Sequence, residues 1–171
     1  MNATTNLVSK AFREIRGGKT QSQLSMDLDL SRETVSKIEN GRSKLPPDIS
    51  RNLMKKYDDP RLAMAVQYEY TGTGPVLDGP NVDLHRCSVR ERTIEEEEEF
   101  IEALKRTNFS KPAHALTFEE IENIKKAIEE GIEAETAKKM WLMKATEYIG
   151  MSYSDAYTEH YADLRQKGFI I

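Results

Sequence analysis

The chain has 171 residues, of which 38% are hydrophobic and 32% charged, with a formal net charge of -4, a composition that suits a charge-rich helical protein of one ordinary domain or two small ones. No stretch reaches the roughly 18 apolar residues of a membrane span, and the opening Met1–Asn6 has neither the basic nor the apolar region of a signal peptide, so a cytoplasmic protein without a membrane partner is expected. Cys87 is the sole cysteine, which excludes an internal disulfide and a cysteine-rich metal site and leaves an incidental thiol.

In chain order, the first apolar stripe is Leu7, Val8, Ala11, Phe12 and Ile15, whose three- and four-residue spacing predicts a helix stopped by Gly17-Gly18. Thr20 and Ser31 carry hydroxyls suited to capping a second and a third helix, and Gly41 suits the left-handed end of the third. Pro46-Pro47 mark the first turn of a fourth helix with Ile49, Leu53 and Tyr57 on its apolar side. A fifth runs from Pro60 to about Tyr70 through Leu62, Ala65 and Val66. Five short helices within residues 1–70 predict a compact all-α domain.

The segment from Thr20 to Arg42 carries the most information. Leu24, Leu28, Leu30, Val35 and Ile38 fit two short helices crossing steeply over a shared core, with the small Ser25 allowing close approach. With those residues inward, Arg32, Glu33, Ser36 and Lys37 remain on the outer face of the third helix near its leading end, and a helix so decorated fits the DNA major groove. The average charge conceals a suitable asymmetry. Residues 1–58 hold 11 Lys and Arg against 7 Asp and Glu, a net +4, and residues 59–171 hold 14 against 22, a net -8.

Thr-Gln at the second helix, Leu-Ser-x-x-Leu, Leu-Ser and Val-Ser-x-Ile-Glu-x-Gly-Arg at this spacing resemble the XRE family of helix-turn-helix regulators, which includes the phage Cro and repressor proteins; the resemblance covers residues 7 to about 57. It implies a five-helix domain of the lambda-repressor type that binds double-stranded DNA through the major groove. Carried over by position, Gln21 sits at the backbone and supports base contacts, and Arg32, Glu33, Thr34 and Lys37 read bases. Ser36 is a further candidate. Asn40, Arg42, Ser43 and also Lys44 and Lys19 hold phosphates, which position without specifying. Where the family often has glycine between the two helices, this chain has Asp29, a residue that tolerates the left-handed region. Glu39 is expected to be structural, and Arg13 and Arg16 to be solvated or paired.

Residues 71–92 read as a turn-rich linker, with Thr71-Gly72-Thr73-Gly74-Pro75 and Asp78-Gly79-Pro80-Asn81, and residues 93–171 as an acidic helical domain. Thr93-Ile94-Glu95-Glu96 and Thr117-Phe118-Glu119-Glu120 match the capping box and predict helix starts. Glu95–Glu99 would then occupy a first turn as a solvated helix start, in preference to a DNA-mimicking or metal-binding surface. From Thr117 the stripe Ile121, Ile124, Ile128, Ile132 continues out of phase through Ala137, Trp141 and Ala145, which allows one kinked helix or two, with Gly131 near the shift. A last helix is expected from about Ser154 to Lys167, followed by the apolar tail Phe169-Ile170-Ile171.

This half resembles no family. Its large apolar residues on short helical segments suit dimerisation or a regulatory protein partner. His85, His114 and His160 are scattered and no nucleophile elbow or phosphate-binding glycine loop occurs, so neither an enzyme nor a cofactor or metal site is expected. The overall expectation is a sequence-specific regulator, a repressor binding its operator as a dimer; the alternative is an antitoxin or anti-repressor whose acidic half binds a partner protein.

Overall fold

The computed structural model describes residues 3–171; Met1 and Asn2, part of the segment read for a signal peptide, lie outside the described residues. Among the described residues there are eight α-helices, one 3-10 turn and no strand, and no helix is long and apolar enough to cross a membrane. The chain divides into two compact units, Met1–Val76 with Thr146–Ile171, and Leu77–Ala145.

The first unit begins with α1 (Ala3–Arg16), α2 (Gln21–Leu28), α3 (Arg32–Glu39), α4 (Pro47–Tyr57) and α5 (Pro60–Thr71). The predicted stripe of α1 is what it buries: Val8, Ala11 and Phe12 meet Leu24 of α2, Val35 and Ile38 of α3, Leu53 of α4 and Leu62 of α5 in one core. Apart from Ala11, each of these side chains contributes roughly 1.5–3 kcal/mol on leaving water. The starts follow local chemistry. Thr20 accepts from the Gln23 amide while the Gln23 side chain accepts from the Thr20 amide, and Asp59 caps α5 by accepting from the Leu62 amide at 2.9 Å.

Two aspartates end helices with a left-handed backbone, Asp29 at φ 54° and Asp58 at φ 48°. Asp29 closes α2 and confirms that aspartate serves where the family favours glycine. Asp58 does more, because its carboxylate accepts from the backbone amides of Tyr153 at 2.7 Å and Ser154 at 2.9 Å, the first residues of α8 (Tyr153–Gln166). Arg61 of α5 adds an ion pair to Glu147 at 3.8 Å, and Tyr153 is buried at the head of an aromatic ladder with Tyr157 and Tyr161. The last helix therefore belongs to the same compact unit as α1 to α5. Its cap is Ser152, slightly before the expected start, and it ends before the left-handed Gly168.

One buried charge in this unit is poorly compensated. Glu69 of α5 is 7% exposed, and neither carboxylate oxygen has a hydrogen bond of good geometry, only the nearby Leu45 amide and the charge of Lys44. Burial pushes its pKa up, against the weaker pull of the Leu45 amide and the Lys44 ammonium. Replacing a buried unpaired charge by an apolar group of similar size is stabilising, so Glu69→Met should raise the unfolding free energy at pH 7 by about 1–2 kcal/mol in urea titrations. Because a raised carboxylate pKa gives stability only as pH falls through it, the difference between Glu69→Met and the parent should shrink towards pH 4.

The second unit contains α6 (Arg86–Lys105) and most of α7 (Phe118–Ile149). The expected start at Thr93 is corrected: α6 begins seven residues earlier, at Arg86. Asp83 accepts from the His85 amide at 2.8 Å and from Ser88 Oγ at 2.6 Å, and His85 is the cap, so the start is built from a turn rather than from the threonine box. Thr93 lies inside the helix and donates its hydroxyl to Val89 O and to Ala137 O. A threonine can satisfy its hydroxyl four residues back as well as at a cap, which is why the box alone misplaced the start. Glu95–Glu99 are accordingly in mid-helix and not in a first turn.

The second box holds. The Thr117 amide donates to Glu120 Oε2 at 2.8 Å, and the Glu120 amide to Thr117 Oγ1 at 3.2 Å. The Lys111 ammonium and the Thr117 amide hold the Glu120 carboxyl down at about 2. From there α7 runs as one helix. At Gly131 an added Cβ would lie 3.1 Å from Phe100 Cε2 of α6, so the glycine serves the close approach of two helices and not a break in one.

Candidate nucleic-acid interface

The turn between α2 and α3 is made by Asp29 and Leu30. The Leu30 amide donates to Ser25 O at 2.9 Å, and the buried Ser25 turns its own hydroxyl back to Ser22 O, so the approach here is tight. Ser31 then caps α3, its Oγ accepting from the Thr34 amide at 3.0 Å and lying 2.9 Å from the Thr34 hydroxyl.

α3 presents two faces. Val35 and Ile38 are 0% and 1% exposed and fix the helix to the core, whereas Arg32, Glu33 and Lys37 are exposed and Thr34 and Ser36 partly so. Positions 32, 33, 36 and 37 recur at helical spacing and therefore share the outer face. Lys37 Nζ lies 2.7 Å from Glu33 Oε1, one turn back, and this ammonium, by hydrogen bond and charge, holds the Glu33 carboxyl below the ordinary range. The pair keeps an ionised acceptor and a cation side by side on the surface.

Beyond α3, the Asn40 side chain donates to Ser36 O at 2.8 Å, Gly41 turns left-handed at φ 64°, and the Arg42 amide donates to Lys37 O at 2.8 Å. Asn40, Arg42 and Ser43 are exposed. The loop is anchored from below, since Leu45 is fully buried, its carbonyl accepts from the Tyr70 hydroxyl at 2.6 Å, and Lys44 lies 5.3 Å from the Tyr70 ring centroid. Lys44 donates to Glu69 O as well. Sequence reasoning did not foresee Tyr70 in this role, and only its place one turn beyond the last core residues of α5 hinted at it.

Glu39 is the hidden support. It is 4% exposed, with Oε1 at 2.5 Å from Arg16 Nε and Oε2 accepting from Gln21 Nε2 at 2.7 Å. One carboxylate thereby joins α1, α2 and α3 and sets the orientation of Gln21 at the start of α2. The expected structural role of Glu39 and the paired state of Arg16 both hold; Arg13 donates to Ser9 O. Lys19, expected near phosphates, pairs with Asp27 at 2.5 Å in a cluster with Lys56 and Tyr57.

Residues 10–58 match the family model described as helix-turn-helix. This segment is a helix-turn-helix domain of the XRE type. No curated protein and no solved structure matches the chain, and the C-terminal half matches no family. The helix-turn-helix domain is a DNA-binding regulatory fold, and within it Asp29 makes the turn, α3 is the second helix of the motif, and the exposed candidates lie on that helix or in the loop that follows. The residues brought together are Arg32, Glu33, Thr34, Ser36 and Lys37 on α3, with Asn40, Arg42 and Ser43 after it; Gln21 enters from α2 through Glu39.

Proposed function

We propose that this protein is a sequence-specific transcriptional repressor that reads DNA with α3 in the major groove and binds its operator as a homodimer. The observation that carries the reading is the division of α3, whose Val35 and Ile38 are enclosed while Arg32, Glu33 and Lys37 face solvent. Arginine or lysine can bond guanine O6 and N7, glutamate can accept from cytosine N4, and the Thr34 methyl can meet a thymine methyl. Asn40, Arg42 and Ser43 would hold phosphates, and Gln21 would steady the backbone contact.

Residues 93–171 are assigned to assembly or to a regulatory partner. Ile128 and Ile132 are 58% and 59% exposed on α7, and Phe169 and Ile171 are exposed at the end of the chain. A two-fold dimer would place two copies of α3 about 34 Å apart, matching an inverted repeat. Exposed apolar side chains of this kind also support the alternative of an antitoxin or anti-repressor that holds a partner protein. Co-purification separates them: recovery of a homodimer alone is expected, whereas a stoichiometric protein held by residues 93–171 would favour the alternative.

The DNA reading is tested by selecting a preferred site from genomic fragments and titrating it by fluorescence anisotropy. Arg32→Ala and Lys37→Ala should each cost about 1–3 kcal/mol on that site and relax specificity at one position. Arg42→Ala should weaken binding alike on all sequences and lower the log-log salt slope by about one. Absence of any preferred site at moderate salt would overturn the reading.

A further inference from the structure

The second unit holds a cluster that the DNA reading does not use, and that departs from the expectation of no metal site. α6 and α7 pack antiparallel: Thr93 Oγ1 lies 3.2 Å from Ala137 O, and further along Phe100 covers Gly131. Glu96, between Thr93 and Phe100 on α6, faces Glu130 and Glu133, which flank Gly131 on α7, with a carboxylate oxygen from each within 4.8 Å of the others. We propose that Glu96, Glu130 and Glu133 bind one divalent cation of the hard, oxygen-preferring class, which clips α6 to α7.

The spacing suits a single ion. Oxygens held at roughly 2.0–2.6 Å from a common cation cannot be much more than twice that distance apart, so all three fit one coordination sphere. Burial supplies an independent reason. Glu96 and Glu130 are 2% and 6% exposed, yet Oε2 of each is buried without a hydrogen-bond partner. Their other oxygens are taken, Glu96 Oε1 by Arg92 and Glu130 Oε1 by Lys126 at 2.5 Å, each one turn back. A buried carboxylate oxygen without a donor loses its hydration for nothing, and in mid-helix the backbone amides are already committed to the helix.

The local cations do not balance the site. Arg92 also meets Glu95, and Lys126 also meets Glu129, so two cations serve five carboxylates once Glu133 is included. Two added positive charges would offset most of that excess. An all-carboxylate donor set without nitrogen or sulfur selects calcium, magnesium or manganese over zinc or copper. Glu133 is exposed, which gives the ion an entry path and leaves room for water in the remaining positions.

The test is calorimetric titration of the chelator-treated full chain with MnCl2 and CaCl2, with thermal melts in parallel. One ion per chain with a saturable rise in Tm is expected. Glu133→Gln, at an exposed position that the fold tolerates, should weaken binding roughly tenfold or more, and Glu96→Gln should abolish the Tm response. No saturable binding of either ion below millimolar concentration, or binding unchanged in Glu133→Gln, would overturn the proposal. So would a Glu96→Gln chain that gains stability in chelator while the parent ignores both ions, since that result would make the cluster a shared-proton site. DNA binding enters none of these readouts.

Discussion

Glu39→Ala should lower the unfolding free energy by about 3 kcal/mol in chemical denaturation. Removing one partner of a buried ion pair leaves the other uncompensated, a loss of roughly 3–5 kcal/mol. The lower end applies because Arg16 is 27% exposed and can recover water. Glu39→Gln separates the two functions of the carboxylate. An amide can still meet Gln21 but cannot neutralise Arg16, so an intermediate loss of about 1–2 kcal/mol is expected. If Glu39 were instead a base-reading residue, its replacement would weaken DNA binding with the unfolding midpoint unmoved. The arrangement predicts the opposite order, with stability falling first and DNA affinity following only at temperatures where the domain begins to open. Arg32→Ala is the counterpart, since its exposed side chain should change affinity and leave stability within about 0.5 kcal/mol.

The helix-turn-helix region was legible because independent signals agree there. The spacing of Val8, Ala11 and Phe12, the caps Thr20 and Ser31, and Pro47 at the start of α4 each specify the same boundaries, and all are local features that a linear sequence displays. Asp29 was readable for the same reason, as its left-handed backbone is a property of one residue. α6 was misplaced because its real start depends on an Asp83–His85–Ser88 turn of weak sequence character, while Thr93-x-x-Glu96 offered a stronger but unused signal. Gly131 pointed to a break because a lone sequence shows glycine as a weak helix former, and the Phe100 ring that it accommodates is thirty-one residues away.

The candidate site divides along the same line. Which residues of α3 face outward follows from periodicity, and Arg32, Glu33 and Lys37 are where it puts them. What the periodicity does not carry is the support: Gln21 bound to Glu39, the loop after α3 pinned by Tyr70 to Leu45 O, and Lys19 held by Asp27. These contacts join residues from 8 to 25 positions apart, through side chains whose polar ends could equally have faced water.

Asp58→Ala should cost about 2–4 kcal/mol and release the start of α8. The loss has two parts. Two charge-assisted hydrogen bonds to the Tyr153 and Ser154 amides disappear, each of a kind that contributes at most about 1.5–3 kcal/mol and less here because Asp58 is only half-buried and the freed amides recover water, and alanine is poorly suited to φ 48°. Asp58→Gly keeps the backbone conformation while removing the carboxylate, so the difference between the two variants measures the strain alone. Amide hydrogen exchange should report the site of the damage, with faster exchange at Tyr153 and Ser154 and little change in α3. The parent chain should show the same weakness in acid. Burial pushes the Asp58 carboxyl up, but the hydrogen bonds from Ser154, Ser152 and the Tyr153 amide outweigh it and leave the pKa below the ordinary 3.8. A carboxylate depressed on folding stabilises fully above its unfolded value and loses that contribution as pH falls through the lower folded one. Exchange at Tyr153 and Ser154 should therefore gain protection relative to Asp58→Gly above about pH 5, and the two chains should converge as the solution is taken well below 3.8. Persistence of the difference in strong acid would mean that the neutral side chain of Asp58, and not its charge, holds the start of the last helix.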